Sequence, residues 1–258
     1  MTLKIYHVDA FADRIFSGNP AGVCRLDQWL PDRLMQDIAR ENNLPETAFY
    51  IPRGDGYLIR WMAPQAEVDL CGHATLATAF VLFHHEGHSA DSIRFVSPRS
   101  GELTVTRQGD LLALDFPADA FGAVPLTPDL TAGFAVAPRL AFRGKTDYML
   151  VFDTEEQVRE MVPDFEKIGR VDARGIIITE PGDDCDFVSR FLCPRIGVNE
   201  DPVTGSAHTT LAPYWGEVFG KTELTARQVS PRGGELRCRL AGDRVEISGT
   251  ARLYSVAE

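Results

Sequence analysis

Two periods of apolar residues alternate along the chain and recur in the same order in each half. In the first half, a helical period over PDRLMQDIAREN places Leu34, Ile38 and Ala39 on one face, and the apolar run ATLATAFVLFHHEG predicts a second, buried helix. Strands are predicted for TAFYI and YLIRWM. The second half predicts helices for EEQVREMVPDFEKIG and TTLAPYWGEVFG and strands for GIIIT and FVSRFL. Each half therefore combines an outer helix, strands and a buried helix.

A hairpin closes each half, and its sequence is repeated. The segment SPRSGEL at Ser97 returns as SPRGGEL at Ser230, an offset of 133 residues with a single Ser/Gly difference. The same offset carries the turn Gly109-Asp110 onto Gly242-Asp243 and GHA at Gly72 onto GSA at Gly205. Upstream, RWMAP matches RFLCP at an offset of 130. Matched segments in one order indicate an internal repeat rather than chance.

The repeat predicts the fold class. Strand-rich halves that each wrap a helix indicate an α+β fold with two pseudo-symmetric domains. The domains are predicted to span 1–118 and 119–258, and the final strand could return to the first domain. The seam falls in the proline- and alanine-rich stretch from Pro117 to Pro128.

Composition and charge restrict the partners. The chain has 258 residues, 44% hydrophobic and 24% charged, which is typical of a globular protein. Its formal charge of -11 repels phosphate backbones and anionic lipid surfaces, so neither nucleic acid nor membrane is an expected partner. No apolar run reaches about 18 residues, and the N-terminal MTLKIYHVDAF lacks the pattern of a signal peptide. A cytoplasmic location is therefore expected.

Cysteine spacing gives no sign of a metal or disulfide framework. The five cysteines are scattered, with no Cys-x-x-Cys pair and no Cys/His spacing typical of zinc. They are expected to be reduced thiols.

Polar residues gather where each half enters its buried helix. Gly72 and Gly205 begin these helices, and the N–H groups of a first helical turn attract a carboxylate. Potential proton-transfer and positioning groups surround both glycines: Asp69, Cys71, His73, Glu200, Asp201, Thr204, Ser206 and His208. Each glycine could instead be a simple helix cap, and each side chain a cap or surface residue.

Four segments resemble the PhzF-like (phenazine biosynthesis) proteins, which share the fold of diaminopimelate epimerase and proline racemase. They are VDAFADRIFSGNPAGV, NNLPETAF, DLCGHATLA and EDPVTGSAH, in that order. The resemblance runs from Val8 through the final hairpin. It implies that each domain is a strongly curved and mostly antiparallel sheet around a central helix. It also implies an isomerase of a small carboxylated substrate that needs no cofactor or metal, with its active site in the cleft between the two domains, and a homodimer.

The resemblance also assigns roles by position. It makes Glu46 of PETAF the group that carries the proton and His73 and Asp201 its catalytic partners. Gly72, Gly205 and Ser206 would hold the substrate. From the residues alone, Glu46 could equally be a solvated residue at a strand entrance. In the repeat, Glu46 falls opposite a residue near Arg174 or Gly175, so the carboxylate has no counterpart.

Two alternatives remain open. An amino-acid racemase or epimerase could use Cys71, which lies where the first thiol of two-cysteine racemases would be. Its counterpart in the repeat is Thr204, too weakly acidic to replace a thiol, which disfavours a symmetric racemase. The chain could also bind small acids without catalysis.

One residue departs from the helical pattern. Pro213 lies inside TTLAPYWGEVFG and is expected to kink or shorten the helix, unless it begins the next segment. His208 and Tyr214 would then be displaced from the positions that the resemblance implies.

Overall fold

The computed structural model describes residues 2–258, and these form two compact units. The first contains residues up to Asp115 together with Ser248–Glu258, and the second contains Phe116–Ile247. The sequence places its boundary after residue 118 and allows the final strand to return to the first domain. The last strand does belong to the first unit.

The described residues contain eighteen strands, six α-helices and two short 3₁₀ helices, joined by turns and loops. The strands are β1 (Ile5–Ala10), β2 (Asn19–Arg25), β3 (Glu46–Arg53), β4 (Gly56–Met62), β5 (Glu67–Val68), β6 (Ser92–Ser97), β7 (Gly101–Gln108), β8 (Leu111–Pro117), β9 (Gly122–Ala123), β10 (Leu140–Arg143), β11 (Tyr148–Val151), β12 (Ile176–Pro181), β13 (Phe187–Leu192), β14 (Glu200–Asp201), β15 (Glu223–Gln228), β16 (Gly234–Ala241), β17 (Arg244–Gly249) and β18 (Ala251–Ala257). The helices are α1 (Asp32–Asn42), α2 (Gly72–His84), α3 (Pro128–Thr131), α4 (Glu155–Glu160), α5 (Phe165–Ile168) and α6 (His208–Phe219). Within residues 2–258, no helix is both long and apolar enough to cross a bilayer.

Strand pairing follows one succession in both units. In the first unit, β1 and β2 are antiparallel, β2 and β3 parallel, β3 and β4 antiparallel, β4 and β6 parallel, and β6 and β7 antiparallel. In the second, the same alternation runs through β10, β11, β12, β13, β15 and β16. A mixed, sheet-rich α+β fold is therefore confirmed.

The first unit buries α2 and partly buries α1. Ten of the 13 residues of α2 are buried, and the helix packs on β1, β2 and β3, as the continuous apolar run predicts. On α1 the buried residues are Met35 and Ala39, whereas Leu34 is exposed. Two of the three predicted residues, Ile38 and Ala39, do pack in the core. The third, Leu34, was wrong, because Met35 takes that place and packs with Phe49 of β3.

The outer helix predicted for the second half is broken in two. Pro163 lies between α4 and α5; it lacks an N–H donor and disfavours helical backbone in the residue before it. New caps form at both starts: Thr154 accepts from the Gln157 N–H and Asp164 from the Lys167 N–H. The prediction of one helix was wrong because periodicity was followed across the proline.

Helix α6 continues through Pro213, so the predicted shortening was wrong. Proline cannot donate to the carbonyl of the residue four positions earlier, which here is Thr209. The Asp119 backbone N–H donates to that carbonyl instead, at 3.0 Å. The backbone hydrogen bond that the helix lacks is thus supplied by a segment outside it. Trp215 then anchors the helix to β12 by donating to the Thr179 hydroxyl at 3.0 Å.

A largely buried arginine–glutamate pair holds the segment before the main helix in each unit. In the second unit, Arg190 on β13 donates from Nε and Nη2 to Glu200 on β14, at 2.7 and 2.8 Å. Its Nη1 donates to the Met161 carbonyl just beyond α4, at 2.7 Å. In the first unit, Arg60 on β4 donates from the same two nitrogens to Glu67 on β5, at 2.7 and 2.8 Å. Such two-point pairs fix orientation as well as distance.

His208 is a core residue at the start of α6. Its ring is fully buried, and Nδ1 lies 2.9 Å from the Thr204 carbonyl, so Nδ1 carries the proton. Nε2 makes no hydrogen bond within the described residues. Burial lowers the pKa of His208 to about 4, because the charged ring would lose its hydration. His208 is therefore neutral and part of the packed interior.

Replacing Arg190 by methionine should destabilise the protein by about 3 kcal/mol, because it leaves the Glu200 carboxylate buried without its cation. The matched control is Arg60→Met, which should cost less because Glu67 keeps Arg99 Nη2 at 2.9 Å. Urea unfolding of both variants measures the difference. Equal losses would contradict it.

His208 should also make the fold sensitive to acid. The unfolded chain binds a proton on this histidine near pH 6.5 and the folded chain only near pH 4, so the stabilising contribution is present above pH 6.5 and lost as the pH falls toward 4. Between pH 7.5 and pH 5 we expect about 2 kcal/mol to be lost through this group. Urea unfolding across that range should show a shallower loss for His208→Gln. An unchanged slope would show that the buried ring does not titrate in this way.

Candidate active site

Glu46 is positioned by a parallel strand pair in the first unit. It is the first residue of β3 and pairs with Ala21 of β2. The loop before β2 turns sharply at Gly18, where φ is +67° and an added Cβ would lie 2.2 Å from the Ala10 carbonyl oxygen. Only glycine fits that approach. The Glu46 side chain is 19% exposed, so the carboxylate is largely desolvated but still reachable.

His73 lies in the first turn of α2. Its ring is buried, and burial lowers its pKa to about 3, an effect partly offset by a hydrogen bond to the Pro20 backbone. The imidazole is therefore neutral throughout the physiological range. Gly72 is the first residue of the same helix, so His73 lies directly at the helix N-terminus, where the backbone N–H groups are concentrated.

The structure brings Glu46 and His73 together. Glu46 Oε2 lies 3.2 Å from His73 Nε2, and this nitrogen makes no hydrogen bond within the described residues. Because the ring is neutral, the contact is not a pair of opposite charges. A neutral imidazole leaves a carboxylate more basic than an imidazolium would.

Cys71 completes the cluster in the first unit. Its sulfur lies 3.5 Å from His73 Nδ1, on the side of the ring away from Nε2. Carboxylate oxygen, thiol sulfur and imidazole nitrogen within 4.8 Å of one another are a donor set that could hold a metal such as zinc.

No disulfide joins the five cysteines of the described chain. Burial raises the pKa of Cys193 and Cys238 to about 12, so both remain thiols.

Asp201 lies on the second unit, at the end of β14, and hydrogen bonds fix the segment from Asp201 to Thr204. Its Oδ2 accepts from the Thr204 hydroxyl at 2.5 Å. The fully buried Gln228 holds both ends of this segment. Its Nε2 donates to the Asp201 carbonyl at 2.7 Å, and its Oε1 accepts from the Thr204 N–H at 2.8 Å. Thr204 is thus occupied in holding the loop and not placed as a second acid.

Ser206 and Gly205 lie one step further along, in a 3₁₀ turn that leads into α6. The Ser206 hydroxyl accepts from Arg174 Nη1 at 2.9 Å. Arg174 is held by Asp147 through two hydrogen bonds, one of them 2.9 Å long from Nε to Oδ1. The serine therefore has a fixed orientation that depends on an ion pair between the buried Asp147 and the half-buried Arg174.

Sequence reasoning missed Arg174, Asp147 and Gln228. A signal for Arg174 was available, because the repeat places it near the position that Glu46 occupies in the first half. Gln228 carries no local signal, since its importance comes from a loop 24 residues away. His208, one of the clustered polar candidates, is a packed core residue.

Comparison with known proteins identifies the family. Residues 8–256 match the PhzC-PhzF family model, described as phenazine biosynthesis-like protein. An uncharacterized isomerase of Pseudomonas aeruginosa is 50% identical over 254 residues, which cover 98% of this chain and 97% of that protein. A PhzF-family crystal structure from Enterococcus faecalis superimposes with a TM-score of 0.97 at 46% identity, covering 100% and 98% of the two chains.

The fold extends to more distant enzymes. A hydroxyproline epimerase from Agrobacterium vitis, crystallised with trans-4-hydroxy-L-proline, matches with a TM-score of 0.59 at 10% identity, covering 99% of this chain and 91% of that one. At this identity the match concerns the fold alone. The full-length match to the family model and the relative named as an isomerase settle the class: the chain belongs to the phenazine biosynthesis-like (PhzC-PhzF) family and is an isomerase.

Proposed function

We propose that the chain moves a proton within a small carboxylated substrate, without a cofactor, and that Glu46 carries the proton. The observation that supports this most directly is the 3.2 Å contact between Glu46 Oε2 and His73 Nε2, a carboxylate beside a buried and neutral ring. A partly desolvated carboxylate next to a neutral imidazole is suited to take up a proton and release it again.

The proposed reaction is balanced without any other reagent. Glu46 removes a proton from one carbon of the substrate, and the electron pair of that C–H bond enters a shifted double bond. Glu46 then delivers that proton, which exchanges with solvent while the carboxyl group holds it, to a second carbon and returns to its carboxylate form. His73 and Asp201 position the substrate's amino or hydroxyl group and stabilise the charge that develops between the two transfers.

The substrate carboxylate is assigned to the backbone at the helix starts. Gly72 lies at the N-terminus of α2 and Gly205 in the turn before α6, where N–H groups have no partner within the helix. Ser206, held by Arg174, would add a fixed hydroxyl. We propose that the two units are the related halves of a diaminopimelate epimerase-like fold and that the active form is a homodimer, as the family resemblance implies.

An epimerase that uses Cys71 is the second candidate, and one distance favours it. Cys71 Sγ lies 3.5 Å from His73 Nδ1, within reach for proton exchange between thiol and ring. Thr204, the counterpart of Cys71 in the repeat, is hydrogen-bonded to Asp201 and cannot serve as the opposing acid. The thiol would need Glu46 or Asp201 as its opposing base.

Glu46→Gln should reduce turnover by at least about 100-fold, the usual contribution of a general acid–base. A metabolite panel incubated in deuterated water and read by mass spectrometry gives the measurement, because isomerisation inserts solvent deuterium into the product. Glu41→Gln, an exposed glutamate on α1, is the matched control and should retain full activity. Retained exchange in Glu46→Gln would reject the assignment, and failure of the unchanged protein to label any compound would favour a non-catalytic acid-binding role.

Cys71→Ser separates the two candidate mechanisms. If Glu46 carries the proton, the serine variant should keep activity to within about tenfold, because the hydroxyl preserves the size and polarity of the side chain. If the thiol carries it, exchange should fall by the factor expected for a lost acid–base group, about 100-fold or more. The same deuterium assay decides between them, with label at a stereocentre of recovered substrate as the mark of an epimerase.

A further inference from the structure

A pocket of about 660 Å³ opens in the second unit, and every residue that lines it belongs to that unit. Its walls are the segment 117–122 and the loop 143–147, and Ser206 and Thr209 contribute from the start of α6. Its volume lies within the range of small-molecule sites. Ser206 lines this pocket and is also one of the residues proposed above to bind the substrate carboxylate.

Two cations in the pocket have no carboxylate partner among residues 2–258. Arg143 stacks over the Tyr148 ring at 4.4 Å and donates from Nη1 to the Thr146 carbonyl at 3.3 Å. These contacts orient the guanidinium without neutralising it. The Lys145 side chain is exposed, and only its backbone N–H is bound, to Asp119.

The acidic groups of the pocket are already engaged. Asp147 is paired with Arg174. Asp119 accepts from the Lys145 N–H at 3.1 Å and from the Thr210 hydroxyl at 2.9 Å. Gly144 allows this approach, since a Cβ there would lie 2.3 Å from an Asp119 oxygen. The charges of Arg174 and Asp147 neutralise each other. The two positive charges of Arg143 and Lys145 therefore exceed the single negative charge of Asp119, which is itself hydrogen-bonded.

The part of the wall formed by the segment 117–122 is apolar except for Asp119. Ala118, Ala120 and Phe121 line it. Phe121 is fixed by edge-on ring contacts with Phe142 and Tyr214, with centroids 5.7 and 6.0 Å apart. A ligand that satisfies both walls has a compact carbon body and an anionic group at one end.

We propose that this pocket is a subsite for a second anionic group, a carboxylate or a phosphate, on the substrate. The proposal rests on the proposed function, because Ser206 is taken to hold the first carboxylate. Arg143 and Lys145 would bind the second group, and the apolar wall would hold the carbon skeleton between them. The substrates of this chain are then small acids with two anionic groups, which a chain with a net charge of -11 binds only through local positive charge.

Binding of three probes tests the subsite: benzoate with one carboxylate, isophthalate with two, and inorganic phosphate. Isothermal titration calorimetry on the full chain should show isophthalate binding at least about fivefold more tightly than benzoate, as one added charged hydrogen bond implies. Lys145→Ala and Arg143→Gln should each remove most of that preference. Lys167→Ala is the control, since Lys167 pairs with Asp164 and does not line the pocket.

The same preference should weaken in the unmodified protein as salt is raised from 50 to 300 mM, because the added contact is electrostatic and partly exposed. This arm does not depend on the folding of any variant. Competition between phosphate and isophthalate would support the subsite and assign it to phosphorylated acids, whereas retained isophthalate preference without competition would support it and assign it to dicarboxylates. An equal affinity for benzoate and isophthalate, or a preference that survives both substitutions and high salt, would overturn the proposal.

The outcome is separable from that of the proposed function. Glu46→Gln should keep the isophthalate preference while losing deuterium exchange. Exchange activity without the preference would reject the subsite and leave the proton-shift proposal standing. The preference without exchange in any metabolite would reject the proton shift and leave the subsite standing.

Discussion

One arginine in each unit, bound to a glutamate by two hydrogen bonds, fixes the segment that precedes the main helix of that unit. Arg190 ties β14 to β13 and Arg60 ties β5 to β4, each with N–O distances of 2.7 and 2.8 Å. In the second unit the residue after the held glutamate is Asp201, so the pair fixes the backbone of a candidate site residue directly. A planar guanidinium held at two points resists both translation and rotation of the loop. The polar groups are thus placed by strands rather than by a flexible segment.

The chain sequence predicted much of this arrangement because its signals are local or repeated. The strand FVSRFL is β13 with the same two ends, and both glycine-containing hairpins form at Gly109 and Gly242, where φ is positive. The repeat matched RWMAP to RFLCP, and the arginines of these two segments are the ones that hold the loops. Local turn chemistry and strand period are encoded within a few residues, which makes them readable without a structure.

The failures have a different physical origin. One outer helix was predicted through Pro163 in the second half, because the helical spacing of apolar residues continues on both sides of the proline. Pro213 was expected to shorten α6 because its missing hydrogen bond is visible in the sequence, whereas the replacement donor, the Asp119 N–H, is 94 residues earlier than the proline. Glu46 could be singled out only through resemblance to a family, since the role proposed for it depends on a histidine brought close by folding. Long-range partners of this kind leave no trace in the neighbouring residues.

The hydrogen bond from Asp119 to Thr209 has a further consequence for how the protein can vary. With alanine at position 213, α6 could satisfy the Thr209 carbonyl from within. The segment between β8 and β9, which carries Ala118 and Phe121, would then compete with the helix for the carbonyl that anchors it. The shape of the apolar wall is therefore tied to an amino acid that does not line the pocket. Changes in ligand preference among related chains could arise at such a remote helix position, with every side chain at the binding surface left unaltered.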